Sequence, residues 1–292
     1  MKKTWCKNDL VHFDPGHDVL VAIDSDGCVF DSMTIKQQIF HTGIIKFWGL
    51  ETAESEFRQV AEWVALFSPW RGLNRFELLL KIFQCLEHYF PNIGRKVDCR
   101  PLETFVKSGV PLSADELAKH IEQTGDPELK RVLNWSRAVS KEIAAVPQMP
   151  IFPEVFQTLE TIRAAADAIV VSQTDESALV HEWQNANLVR FVDVIAGAEL
   201  GSKIESLGTA MKGRYLSART LMVGDAPGDL ETARVTGSLF FPIVPGDEPA
   251  SWIELRGEGL TRLLNGTFEG IYQQQLVKKF KTALSEVPPW VS

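Results

Sequence analysis

Two rhythms of apolar spacing divide the chain. Between residue 33 and about residue 146, apolar side chains recur at steps of three and four. Phe57, Val60, Ala61 and Val64 fall on one helix face, and Phe76, Leu79, Leu80 and Phe83 on another. Ser113 with Glu116 reads as a capping box ahead of Leu117 and Ile121. Asp126 followed by Pro127 reads as an N-cap with proline at the first helical position. Leu129, Val132, Leu133, Ser136, Val139 and Ile143 continue that helix. Pro147 and Pro150 close the block.

Beyond Pro150 short apolar runs alternate with helical spacing. Helices are predicted near 153–165, 175–187, 202–212 and 228–235, with strands at 168–172, 191–195, 220–224 and 239–244 between and after them. Two more helices fill about 250–285. One further apolar run, 19–23, is a strand that precedes the helical block. Strands alternating with helices imply parallel βαβ units. The predicted class is therefore α/β, a doubly wound parallel-sheet (Rossmann-like) core with an inserted all-α domain. The expected partition is a core of 1–32 and 147–292 around a helical domain of 33–146.

Composition narrows the classes of partner. The chain has 292 residues, is 45% hydrophobic and carries a formal net charge of -8 with no run of lysine or arginine. That argues against nucleic acid and against an anionic membrane surface. No apolar stretch approaches the ~20 residues of a spanning helix. Lys2 and Lys3 have no apolar block behind them, so no secretion leader is expected and the expected compartment is the cytoplasm. Cys6, Cys28, Cys85 and Cys99 share no CxxC spacing, and the six histidines form no HxH or HExxH pair. Reduced thiols are expected rather than zinc or disulfides. A monomer or homodimer is expected.

The acidic residues change the picture more. Asp24 and Asp26 follow strand 19–23, Ser172 ends the strand AIVVS, and Asp225 ends TLMVGD with Asp229 in the next turn. In an open parallel sheet, ligands bind outside the carboxyl ends of the strands. An aspartate after a strand is often only a helix N-cap, which accounts for Asp31 and Ser32 at the start of the first inserted helix. It accounts poorly for Asp24, Asp26, Asp225 and Asp229 together. Like charges so close oppose ionisation unless a cation sits among them, and oxygen-only ligands favour Mg2+. A carboxylate nucleophile beside Mg2+ suggests phosphoryl transfer, and a second carboxylate two residues on can act as general acid and base. Two lysines could supply positive charge. Lys203 follows Gly201 and Ser202 where a helix leaves the same sheet edge, whereas Lys212 lies roughly 13 Å further along that helix. The placement favours Lys203.

These residues resemble the haloacid dehalogenase-like hydrolases. DSDGCVFD, Asp24 to Asp31, is similar to that family's first motif, DxDGxxxD. Val170-Val171-Ser172 resembles the second, Lys203 fits the third, and VGDAPGD, Val223 to Asp229, resembles the fourth, GDxxxD. Gln173 stands where many relatives carry asparagine, and Lys203 lacks the Lys-Pro dipeptide common in the family. The helical block occupies the place of an inserted cap. The resemblance implies Asp24 as nucleophile and metal ligand, and Asp26 as general acid/base and ligand through its carbonyl. It implies Ser172, Gln173 and Lys203 around the phosphoryl group. Asp225 would be a third metal ligand, and Asp229 an outer acceptor or alternative ligand. Gly27 would allow the turn out of the strand.

The function this predicts is Mg2+-dependent hydrolysis of a small phosphorylated metabolite through an aspartyl-phosphate. The alternatives are a sugar phosphomutase of the same family and a non-catalytic module that binds a phosphorylated ligand. In the cap, SPWRGLNRF, Ser68 to Phe76, places Arg71 and Arg75 where either could pair with an anionic part of the substrate, or simply start a helix. Trp48, Trp63, Trp70 and Trp135 are expected to pack the cap's interior.

Overall fold

The structure is a computed structural model that describes residues 5–94 and 97–291. Lys2 and Lys3, on which the reading of the start depended, lie outside the described residues. The chain divides into two compact units. One comprises 5–33 and 148–283, the other 34–147 with 284–291.

The first unit is built on a five-stranded sheet: β1 (Leu20–Ile23), β2 (Asp167–Val171), β3 (Val194–Ala196), β4 (Thr220–Gly224) and β5 (Leu239–Pro242). The spatial order is β3-β2-β1-β4-β5, and every pairing is parallel. All residues of the strands are buried, so both faces are covered, as the uninterrupted apolar runs require. The chain winds outward from β1 through β2 to β3, then returns to the other side of β1 for β4 and β5. The direction of winding thus reverses between β1 and β4, where ligands of open α/β sheets lodge. The predicted α/β, doubly wound class is observed.

Local differences from the sequence reading have identifiable causes. The strand expected over 191–195 begins only at Val194. Val189–Phe191 forms a 3-10 turn instead, closed by Phe191 N donating to the Leu188 carbonyl. The strand expected over 239–244 stops at Pro242, because Val244 N donates to Ser251 Oγ rather than to a strand. The C-terminal helices are Glu248–Glu254, running through a wide π turn into Leu260–Leu264, and Ile271–Ala283.

The helical unit has its own core. Phe57, Trp63, Phe76, Phe83, Phe105 and Trp135 are buried together, and Trp48 and Trp70 pack against them. Its helix starts follow local capping chemistry. Ser113 Oγ accepts from Glu116 N at 3.1 Å, and Asp126 Oδ1 accepts from Leu129 N at 2.9 Å ahead of Pro127. The tail 284–291, which the sequence reading grouped with the core, packs here. Trp63 Nε1 donates to the Ser285 carbonyl, and the Trp290 ring meets Trp63 and Tyr89 edge-on.

Candidate active site

The dipeptide between β1 and its loop sets the geometry. Successive residues of an extended chain point to opposite sides. Ser25 turns into the core, where its Oγ accepts from Trp183 Nε1 at 2.9 Å. Asp24 and Asp26, on either side of it, are thereby turned away from that core contact. The Ser25 carbonyl accepts from the backbone N–H groups of Cys28, Val29 and Phe30 and closes the loop tightly. Gly27 sits at φ 73°, a conformation that side chains with a Cβ resist.

Asp24 leaves the end of β1, and Asp225 leaves the end of its neighbour β4, on either side of the winding reversal. Asp229 lies in the first turn of the helix Pro227–Thr236. Carboxylate oxygens of Asp24, Asp225 and Asp229 lie within 4.8 Å of one another, and all three residues are buried. Lys203, the first residue of the helix Lys203–Met211, reaches among them. Its Nζ is 2.8 Å from Asp24 Oδ2 and 2.6 Å from Asp229 Oδ1. Asp229 Oδ2 accepts from Ala226 N at 3.0 Å, so both of its oxygens are engaged. Gly224 makes room for this. A Cβ there would lie 2.3 Å from Asp229 Cγ. Lys212 is the C-terminal cap of the same helix and is exposed.

Burial drives the Asp24 carboxyl well above its ordinary range, Asp229 and Asp225 push the same way, and Lys203 opposes them. Burial also works against the Lys203 ammonium, but the Asp229 and Asp24 carboxylates outweigh it and hold the proton more firmly than usual. The Cys28 thiol, buried beside the same carboxylates, is pushed well up and stays protonated. Three carboxylates therefore cluster, with one ammonium paired to two of them and oxygen as the donor atom. Such a set fits a hard divalent cation, which would relieve the repulsion.

Asp26 is held from two sides, by Ser32 Oγ at 2.5 Å on Oδ1 and by Thr174 Oγ1 at 2.8 Å on Oδ2. Ser172, buried at the end of β2, accepts from Thr174 N at 3.2 Å. Gln173 is exposed, and its Nε2 donates to the Gly201 carbonyl at 3.4 Å.

Neither the family models nor the curated sequences compared with the chain give a match. Solved structures do. A candidate phosphoglycolate phosphatase from Lactobacillus delbrueckii subsp. bulgaricus aligns with a TM-score of 0.51 at 14% identity, over 85% of this chain and 98% of that one. A haloacid dehalogenase-like hydrolase from Streptococcus pneumoniae aligns with a TM-score of 0.47 at 15% identity, over 81% and 90%. The likeness to the Lactobacillus structure is one of fold.

Within that fold, the residues singled out from the sequence fall into two groups. Asp24, Asp225, Asp229 and Lys203 converge, and Asp26 and Ser172 are joined to one another through Thr174. Arg71 and Arg75 belong to the helical unit. Arg71 is buried and its Nη1 donates to the Leu66 carbonyl at 3.0 Å. Arg75 opens the helix Arg75–Tyr89, where its Nη1 donates to Ser140 Oγ at 2.6 Å and its guanidinium lies over the Phe40 ring. Both of these contacts lie within the helical unit. Ser32 and Thr174 escaped the sequence reading. From sequence Ser32 reads only as a helix start, and Thr174 carries no motif. The available signal was a second hydroxyl two residues after Ser172.

Proposed function

We propose that the chain is a Mg2+-dependent phosphatase that hydrolyses small phosphomonoesters through an aspartyl-phosphate on Asp24. The observation that supports it best is Lys203 Nζ, 2.8 Å from Asp24 within a buried set of three carboxylates. An ammonium there compensates a carboxylate that must approach a phosphate dianion. Asp24 and Asp225 side chains, with the Asp26 carbonyl, would hold the cation, and Asp229 would serve mainly to hold Lys203. Mg2+ supplies charge neutralisation for the phosphoryl oxygens.

Asp24 attacks phosphorus through a carboxylate oxygen. Asp26 gives a proton to the leaving oxygen as its bond to phosphorus breaks. Water then enters, loses a proton to Asp26, and releases phosphate from Asp24. Ser172 offers its hydroxyl to the transferring group, and Lys203 remains charged throughout. The substrate class, a small phosphorylated metabolite, is proposed because the sequence carries net charge -8 and no long run of lysine or arginine that would suit a polyanion.

The experiment is phosphate release from a broad panel of phosphate esters, with Mg2+ and with EDTA, for wild type and Asp24→Asn. Mg2+-dependent release that Asp24→Asn abolishes is the expected result. Release that survives either EDTA or the substitution would refute the proposal.

A further inference from the structure

Asp26 differs from the other acids of the site in its partners. Asp24 and Asp229 pair with the Lys203 ammonium and cluster with Asp225, whereas the Asp26 carboxylate accepts a hydroxyl on each oxygen. Ser32 Oγ is 2.5 Å from Oδ1 and Thr174 Oγ1 is 2.8 Å from Oδ2. The two donors come from distant parts of the chain, one just after the β1 loop and one after β2. A carboxylate gripped at both oxygens cannot rotate about its terminal bond without losing a donor.

Thr174 is itself fixed. Its N–H donates to Ser172 Oγ at 3.2 Å, and its carbonyl accepts from Ala198 N at 3.0 Å. Its β-branched side chain has few rotamers. The same residue thus ties Asp26 to Ser172, the two groups that would meet the leaving oxygen and the phosphoryl group.

We propose that Thr174, assisted by Ser32, is a positioning residue that fixes the plane of the Asp26 carboxylate for proton transfer to the leaving oxygen. This rests on the phosphatase reading above. Proton delivery matters most for poor leaving groups. An alkoxide must be protonated as it departs, whereas p-nitrophenolate can leave without help.

The test uses the full chain with Mg2+ and compares p-nitrophenyl phosphate with glycerol phosphate. For Thr174→Val, kcat/KM, which reports only the steps through departure of the leaving group, is expected to fall about 10-fold or more on glycerol phosphate, with less than about a 3-fold change on p-nitrophenyl phosphate. Thr174→Ser, which keeps the hydroxyl, should restore most of the loss. An equal loss on both esters, or none on either, would overturn the proposal. A crystal structure of Thr174→Val reads the orientation without any turnover. A rotated or divided Asp26 side chain supports the proposal, and an unchanged one sinks it. If wild type releases no phosphate from any ester, the phosphatase reading fails, and the crystal structure still decides whether Thr174 holds Asp26.

Discussion

The two edges of one sheet each bury an aspartate, and they treat it in opposite ways. At the amino edge, Asp167 begins β2 and is 2% exposed. It accepts from Tyr215 Oη at 2.7 Å, from Gly16 N and His17 N at 3.0 Å each, and meets His17 Nδ1 at 3.1 Å. Burial pushes its carboxyl up, but the Tyr215, His17 and Gly16 hydrogen bonds outweigh it and hold it below its ordinary range. At the carboxyl edge, Asp24 is 5% exposed and faces two other carboxylates with one ammonium among them. Burial of a charge therefore does not mark a site. What marks it is whether the neighbours satisfy the charge or crowd it. Asp167 is a clasp for the segment that enters β1. Asp24 is left in a conflict that a cation would relieve.

The contrast breaks most sharply at Asp24, the proposed nucleophile. Asp24→Asn should lower phosphate release by about 10³-fold or more, measured with Mg2+ at saturating ester, while thermal stability holds or rises because a repelled charge is gone. Lys203→Met comes next. Removing the ammonium takes the cationic partner from buried Asp24 and Asp229 and should cost about 3–5 kcal/mol in urea unfolding without metal. Added Mg2+ should recover part of that loss.

Asp167→Asn tests the other edge. The amide presents an N–H₂ to donors that expect an acceptor, so a loss of about 2–4 kcal/mol is expected at pH 7, with kcat unchanged. The sign with pH follows from the depressed carboxyl. Its stabilisation is complete above the ordinary value near 4 and is lost as pH falls through the lower folded value. The gap between wild type and variant should therefore close below about pH 4. A gap that widened on acidification would contradict the clasp. Tyr215→Phe removes a single donor and should cost only about 1 kcal/mol in the same unfolding assay.

Much of this was legible in the sequence, and the parts that were not share a cause. β1, the loop Asp24–Gly27 and the pair Asp225 and Asp229 announce themselves, because an apolar run ending in acids has few other uses. Lys203 could be preferred over Lys212 from helical rise alone. The Ser32 and Thr174 hydroxyls could not be read, since their meaning lies in two loops brought together by folding. The clasp on Asp167 was hidden for the same reason. His17 and Tyr215 lie 150 and 48 residues from it. The contacts of Arg71 with the Leu66 carbonyl and of Arg75 with Ser140 were not legible either, because spacing alone does not show which groups a clustered arginine meets. The shortened strand at Val194 reflects competition between a local turn and sheet pairing, which apolar character cannot arbitrate.

The tail carries a consequence for modular exchange. An insertion joined to its host only at two neighbouring points is a cassette, and could be cut out and grafted onto another host. Here the chain returns a third time, because 284–291 packs with the helical unit. Trp290 supplies aromatic contacts that 34–147 alone would lack. A transplant of 34–147 without that tail would expose the faces of Trp63 and Tyr89. The transferable object is two segments of chain, and a swap between hosts has to carry both.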